Sequence, residues 1–139
     1  MKKYFLFALL SAFVFASIAK AEENIYNAED IMPCEGRPDI KCSSPHAVVQ
    51  GVVQEKYADG SLKSETPYKG GYKYGLERVY YEVKMPGDKP GRVQFENSYK
   101  YSKLLVRKEY YENGSIKMII NNENGTTQVY REDGTLRAK

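Results

Sequence analysis

The stretch "YKGGYKYG", Tyr68 to Gly75, contains three tyrosines and three glycines in eight residues. A similar stretch, "FENSYKYS", follows at Phe95 to Ser102. At an offset of 27 residues, the corresponding pairs are Tyr68/Phe95, Tyr72/Tyr99, Lys73/Lys100, Tyr74/Tyr101 and Gly75/Ser102. A pattern that recurs at a fixed spacing indicates a repeat architecture, and this offset is the first estimate of its period.

A second recurring pattern alternates with the first. The stretches "KYADGSLK", "YYENGSIK" and "YREDGTLR" align on Gly60, Gly114 and Gly134. Asp-Gly or Asn-Gly between β-rich runs is the strongest short-range signal for a hairpin. Such dipeptides favour the type I′ turn, in which both central residues have positive φ. Three of these turns predict a β-meander.

Residues that flank the turns alternate between apolar and polar types, which is the period of a β-strand. The alternation separates Val79, Tyr81 and Val83 from Arg78, Tyr80 and Glu82, and it continues through Val93 to Glu96 and Ile116 to Ile120. It predicts an antiparallel sheet with one apolar and one polar face. A hairpin cannot bury its own face in water, whereas stacked hairpins can. We therefore predict an all-β fold, an antiparallel β-meander of stacked hairpins that forms an elongated single-layer sheet.

Residues 1–21 have the features of a cleaved signal peptide. Lys2 and Lys3 precede an apolar run, and the small residues Ala19 and Ala21 precede Glu22. The alternative is a membrane anchor, but the run is shorter than the ~20 residues of a spanning helix. We predict cleavage after Ala21 and a periplasmic or extracellular location.

The charge of the chain changes when this segment is removed. Cleavage takes away three of the 21 basic residues and none of the 18 acidic ones, which leaves a neutral mature chain. Nucleic-acid binding requires clustered positive charge. We therefore predict no nucleic-acid partner.

Residues 22–46 show little periodicity and several prolines, which predicts an irregular N-terminal segment. The segment contains both cysteines of the chain, Cys34 and Cys42. In an oxidising compartment a disulfide between them is favoured. The alternative is a metal site with His46, but structural zinc sites require four ligands and no fourth candidate is near. We therefore predict a disulfide-pinned segment and no metal.

From residue 47 to residue 139 the chain resembles the second variant of the MORN repeat, as in proteins of the YwqK-like antitoxin type. The stretch "YADGSLKSETPYKGGYKYGLERVYY" follows the repeat pattern, and "EYYENGSIKMIINNENGTTQVYREDGTLR" is a weaker copy. The first copy matches at Tyr57, Gly60, Leu62, Lys63, Tyr68, Gly70, Gly75, Tyr80 and Tyr81. The resemblance implies an elongated sheet of hairpins with an aromatic-lined groove. The implied partner-binding residues are Tyr68, Tyr72, Tyr74, Tyr80, Tyr99, Tyr101 and Tyr110; the alternative is that these tyrosines only pack.

The sequence offers little for catalysis. His46 is the only histidine, and a nucleophile needs an adjacent base. The glutamates lie among lysines and arginines, as on a polar sheet face with cross-strand ion pairs. We therefore predict a non-enzymatic, cofactor-free module that binds a protein partner. Neutralisation of a toxin and binding of a membrane surface are the alternatives.

Overall fold

The computed structural model describes residues 23–137, which form strands and one short 3-10 helix. The proposed signal peptide and cleavage site lie outside these residues. Within residues 23–137, no helix has the length and apolar character needed to cross a membrane. The elements are β1 (Ile25–Asn27), the 3-10 helix (Ala28–Asp30), β2 (Met32–Cys34), β3 (Arg37–Ser44), β4 (Ala47–Val48), β5 (Gly51–Lys56), β6 (Leu62–Lys69), β7 (Tyr72–Lys73), β8 (Gly75–Tyr80), β9 (Val93–Lys100), β10 (Lys103–Tyr110), β11 (Ile116–Asn121) and β12 (Thr126–Val129).

Nine of these strands form one sheet in the order β1-β5-β6-β8-β9-β10-β11-β12, with β7 paired to β6. All neighbours pair antiparallel except β1 and β5, which are parallel. From β5 onward, the strand order follows the chain. The predicted antiparallel meander of stacked hairpins is confirmed.

The two kinds of turn lie at opposite ends of the strands, and the type I′ geometry predicted for the Asp-Gly and Asn-Gly turns is wrong. At Asp59-Gly60 and its equivalents, only the glycine has positive φ. The Gly60 N–H donates to the Tyr57 carbonyl (2.9 Å), so this is the pattern of a type I turn followed by a glycine bulge. Positive φ at two successive residues occurs instead in two of the other turns, at Gly70-Gly71 and Tyr101-Ser102.

The insertion between β8 and β9 is an enlarged copy of the glycine-bulge turn. The Tyr81 N–H donates to the Arg92 carbonyl (2.8 Å) and closes this loop. In the shorter turn at Asp59-Gly60, the Tyr57 N–H donates to the Ser61 carbonyl (2.9 Å) in the same way. Tyrosines at these turns also connect neighbouring hairpins through their hydroxyls. The bonds are Tyr57 to the Tyr80 carbonyl (2.8 Å), Tyr81 to the Tyr110 carbonyl (2.7 Å) and Tyr111 to the Tyr130 carbonyl (2.9 Å).

The positions of the turns also correct the predicted offset. Lys69 precedes the first two-residue turn and Lys100 precedes the second, which gives a spacing of 31 residues rather than 27. Tyr101 and Ser102 therefore occupy the places of Gly70 and Gly71. The sequence comparison missed this equivalence because no glycine marks the second turn.

The N-terminal segment contains more regular structure than its sequence predicts. Strands β2, β3 and β4 form a separate antiparallel sheet that extends to Val48. The predicted Cys34–Cys42 disulfide is present, with the two Cα atoms 5.1 Å apart. Both cysteines are buried with Ile40, and Tyr72 of the large sheet packs against them. This small sheet therefore supports the first aromatic hairpin.

The predicted division into one apolar and one polar face fails at the centre of the large sheet. A row of four buried residues crosses β5, β6, β8 and β9; the first two and the last two are register partners, and the Thr66 hydroxyl donates to Glu77 (2.9 Å) between them. The four are Val53, Thr66, Glu77 and Asn97. Three of the four are polar, so polar pairing at this point replaces the apolar packing predicted from the strand pattern.

Candidate functional site

The tips of two neighbouring hairpins, the turns at Gly70-Gly71 and Tyr101-Ser102, meet at one end of the central strands of the large sheet. The Ser102 N–H donates to the Lys73 carbonyl (2.9 Å), and the Lys73 N–H donates to the Ser102 hydroxyl (3.1 Å). The Tyr101 ring makes edge contacts with the rings of Tyr72 and Tyr74, at centroid distances of 6.3 and 5.4 Å. The two turns and three tyrosines therefore form one continuous surface.

Tyr101 is the most exposed aromatic residue of this surface, with 62% of its area accessible. It and Ser102 have φ values of 49° and 61°. Left-handed φ is a rare conformation for a bulky side chain and is tolerated where the surrounding structure holds it. The turn therefore presents a large aromatic ring to solvent from a strained position.

Three exposed lysines lie on the strand ends that flank the two turns. The Lys69 ammonium lies 5.4 Å from the centroid of the Tyr74 ring, and Lys100 pairs directly with Lys103 across the second turn. Within residues 23–137, none of the three makes a salt bridge. We call the resulting basic and aromatic surface the hairpin-edge patch, which consists of Lys69, Tyr72, Tyr74, Lys100, Tyr101 and Lys103.

A buried polar cluster lies next to the patch on one face of the sheet. Glu77, only 6% exposed, accepts hydrogen bonds from Lys73 Nζ (2.7 Å), Asn97 Nδ2 (2.7 Å) and Thr66 Oγ1 (2.9 Å). Burial alone would raise the pKa of the Glu77 carboxyl. Lys73 opposes this effect through its hydrogen bond and its positive charge, and Asn97 and Thr66 add one hydrogen bond each. Together they outweigh burial, so the pKa of Glu77 lies below its usual value.

This cluster has the properties of a structural anchor. With three donors engaged, the Glu77 carboxylate remains ionised and is poorly suited to general-base work. The Lys73 ammonium also lies 4.8 Å from the Tyr99 ring centroid. Because Lys73 is part of β7, the cluster anchors the β6–β7 hairpin, which carries the first turn of the patch.

Two predicted site residues, Tyr80 and Tyr110, serve a different purpose on the opposite face. Their hydroxyls donate to Glu65 and Glu96 respectively, each at 2.7 Å. Burial, followed by the hydrogen bond to a carboxylate, raises the pKa of each phenol to about 12. These bonds link β6 to β8 and β9 to β10, so both side chains are committed to the sheet.

The seven tyrosines predicted to line one groove therefore lie in three places. Tyr72, Tyr74 and Tyr101 form the aromatic part of the patch. Tyr68 and Tyr99 are half-buried beside the polar cluster, where burial raises the pKa of both phenols. Tyr80 and Tyr110 lie on the other face. The structure thus brings together only part of the predicted set.

Sequence reasoning missed Lys100 and Lys103 of the patch and the burial of Glu77. The burial had a signal, because Glu77 shares the strand parity of Val79, which the alternation had placed on the apolar face. These two lysines had no comparable signal. Lys100 and Lys103 become neighbours only because the chain turns at Tyr101-Ser102, where no turn was expected.

Two of the repeating hairpins match a known family of repeats. Residues 49–69 and 104–121 match the MORN repeat variant. These two matches confirm the resemblance read from the sequence. Comparisons with curated proteins and with solved structures gave no match.

The two MORN segments form the framework on either side of the patch. The first spans the β5–β6 hairpin and ends at Lys69, and the second begins at Leu104 and spans the β10–β11 hairpin. MORN repeats bind proteins and membrane lipids and are not typically enzymatic. Apart from Lys69, the patch lies in the segment between the two matches, so the matched segments position a surface that they contain only in small part.

Proposed function

We propose that this chain is an exported, non-enzymatic binding module that contacts a partner protein through the hairpin-edge patch. The observation that carries the proposal is the joining of two hairpin tips into one exposed surface of tyrosines and lysines. Aromatic residues supply large contact area at interfaces with little loss of conformational freedom. MORN repeats are binding repeats, which supports the same conclusion.

Export is supported by the buried disulfide between Cys34 and Cys42, because such bonds persist in oxidising compartments. The proposed signal at residues 1–21 agrees with this location. Intact-mass measurement of the protein recovered from an exporting host would test both features. We expect a chain that begins at Glu22 and has lost two thiol hydrogens. A chain that retains residues 1–21, or that contains two free thiols, would contradict export.

The binding function is tested by affinity capture with matched variants. The full chain is expressed with its own N-terminal segment, recovered and immobilised, and then exposed to cell-envelope and secreted fractions. We expect a stoichiometric protein that survives a salt wash and is lost with Tyr101→Ala. The matched control is Met85→Ala, because Met85 is 68% exposed but lies in the loop between β8 and β9.

Two outcomes of the capture, and one outcome of an activity assay, would count against the proposal. Equal loss with Met85→Ala would mean that the patch has no special role. Recovery of lipid without protein would favour a membrane surface, the other class of ligand of MORN repeats. Steady turnover of an envelope glycan or peptide by the purified chain would contradict a non-enzymatic module.

A further inference from the structure

The second hairpin tip combines two unfavourable features within residues 100–103. Lys100 and Lys103 are direct register partners, and like charges opposite each other destabilise a strand pair. Between them, Tyr101 and Ser102 have left-handed φ. The corresponding residues of the first hairpin avoid both features, since Lys69 faces Tyr72 across two glycines. Local stability alone therefore does not account for the second tip.

We propose that the hairpin-edge patch binds an acidic, extended segment of a partner protein. The inference rests on the proposed function and adds the chemistry of the partner. A carboxylate between Lys100 and Lys103 would relieve their repulsion and form charge-assisted hydrogen bonds with both ammonium groups. A second carboxylate would lie near Lys69, and an adjacent partner side chain would pack on the Tyr101 ring.

A protein segment fits the surroundings of the patch better than a flat anionic membrane does. The Tyr72 hydroxyl donates to Asp39 Oδ2 (3.0 Å), which places a carboxylate of the N-terminal segment beside the patch. Residues 23–50 contain five acidic and two basic side chains. A plane of anionic headgroups would approach these carboxylates, whereas a narrow segment can follow the lysines and avoid them.

The test measures binding of a fluorescein-labelled poly-glutamate peptide to the full chain by fluorescence anisotropy. We expect salt-sensitive binding, and the triple variant Lys69→Glu/Lys100→Glu/Lys103→Glu should bind about tenfold more weakly or worse. The matched control, Lys56→Glu/Lys84→Glu/Lys89→Glu, changes the net charge equally at exposed lysines away from the patch. It should retain most of the affinity.

A single substitution separates a binding role from a structural one. Lys100→Glu converts the repelling pair with Lys103 into an attracting one, so the thermal unfolding midpoint should rise while affinity for the peptide falls. A fall of both affinity and midpoint in Lys100→Glu would overturn the inference.

Other results would also overturn it. Equal weakening by the two triple variants would show unspecific electrostatic attraction. Co-sedimentation with phosphatidylserine vesicles, without peptide binding, would assign the patch to a membrane. If the captured partner is lost with Tyr101→Ala but kept by the lysine triple variant, the acidic partner is wrong and the proposed function stands. If no variant changes capture, both fail.

Discussion

Tyr101 and Ser102 show how an unfavourable local conformation is maintained by its neighbours. Left-handed φ costs a non-glycine residue on the order of 1 kcal/mol or more. The bonds between Ser102 and Lys73 and the ring contacts of Tyr101 hold the turn in place. Residues retained at such a cost are concentrated at functional sites.

The first prediction concerns this turn. Replacing Tyr101-Ser102 by Asn-Gly supplies the residues that type I′ turns prefer, and the free energy of unfolding should rise by about 1 kcal/mol. Urea unfolding measures the change. At the equivalent first turn, Gly71→Ala should destabilise the protein, because a Cβ there would collide with the Ile40 side chain and lie 2.8 Å from the Lys41 carbonyl oxygen. Loss of stability in the Asn-Gly variant would contradict the account of strain.

The second prediction concerns the pH dependence caused by Glu77. Its pKa is lower in the folded than in the unfolded state, so the unfolded state binds the proton more readily as the solution is acidified. The stabilisation by this carboxylate is therefore complete above its unfolded pKa, near the ordinary value of 4.5, and is lost as the pH falls through the lower folded value.

Urea unfolding of Glu77→Gln at several pH values tests whether Glu77 causes this pH dependence of stability. It should cost about 2 kcal/mol at neutral pH, because a charged acceptor of three hydrogen bonds is removed. It should also flatten the loss of stability in acid. Glu55→Gln is the control, since Glu55 forms an exposed pair with Lys63 and should change stability by less than about 1 kcal/mol. If Glu77→Gln loses stability in acid as steeply as the unsubstituted protein does, other carboxylates cause that loss.

At the scale of the hairpins, the tyrosine hydroxyls that reach across to neighbouring turns are the connecting elements. The third prediction is that Tyr81→Phe lowers the free energy of unfolding by about 1 kcal/mol, because the Tyr110 carbonyl loses its hydroxyl donor. Tyr101→Phe should have almost no effect, since no hydrogen bond of the Tyr101 hydroxyl is present in residues 23–137. Equal effects of the two substitutions would show that the carbonyl contact contributes nothing.

The hairpins also show which local features could be predicted from the sequence. Gly60, Gly114 and Gly134 correctly predicted where turns occur, because each glycine can take positive φ without steric cost. The turn type was wrong, since the residue before each glycine keeps negative φ and its side chain instead binds the hydroxyl two residues on, as Asp59 Oδ1 does with Ser61 (2.6 Å). The turn at Tyr101-Ser102 was missed because tertiary contacts, rather than residue preference, select its conformation.

At the scale of the whole molecule, the disulfide-bonded small sheet and the large sheet depend on each other. The Lys41 N–H donates to the Gly71 carbonyl (3.0 Å), and the Gly71 N–H donates to the Val49 carbonyl (2.9 Å). The N-terminal segment therefore holds the first hairpin tip of the patch. This dependence could not be predicted, because the pattern of residues 22–46 does not indicate that the segment packs against the large sheet.

The fourth prediction follows from that dependence. Cys34→Ser/Cys42→Ser should lower the free energy of unfolding by about 2 to 3 kcal/mol. Hydrogen exchange should accelerate in residues 31–49 and at Gly70-Gly71, whereas strands β10 to β12 keep their protection. Uniform acceleration over the whole chain would show that the two sheets unfold as one unit rather than with a separable N-terminal part.

The candidate site was predictable only in part, because it too depends on contacts between elements that are distant in sequence. The recurring tyrosines were recognised as a group, but alternation along a strand distributes them over two faces. Tyr80 therefore reaches Glu65 while its neighbour Tyr81 reaches the Tyr110 carbonyl. The association of the three patch tyrosines depends on the register between hairpins, which is a property of the assembled sheet.

The order of strands has a consequence for how the chain acquires its structure in time. From β5 onward, every pairing joins segments that are close in sequence, so each hairpin closes a short loop and can form soon after its residues become available. The pairing of β1 with β5 is different, because it is parallel and joins two strands that are separated in sequence by the whole small sheet. Folding should therefore begin within the hairpins and finish at the edge formed by β1, so the first strand of the described residues is among the last to be placed.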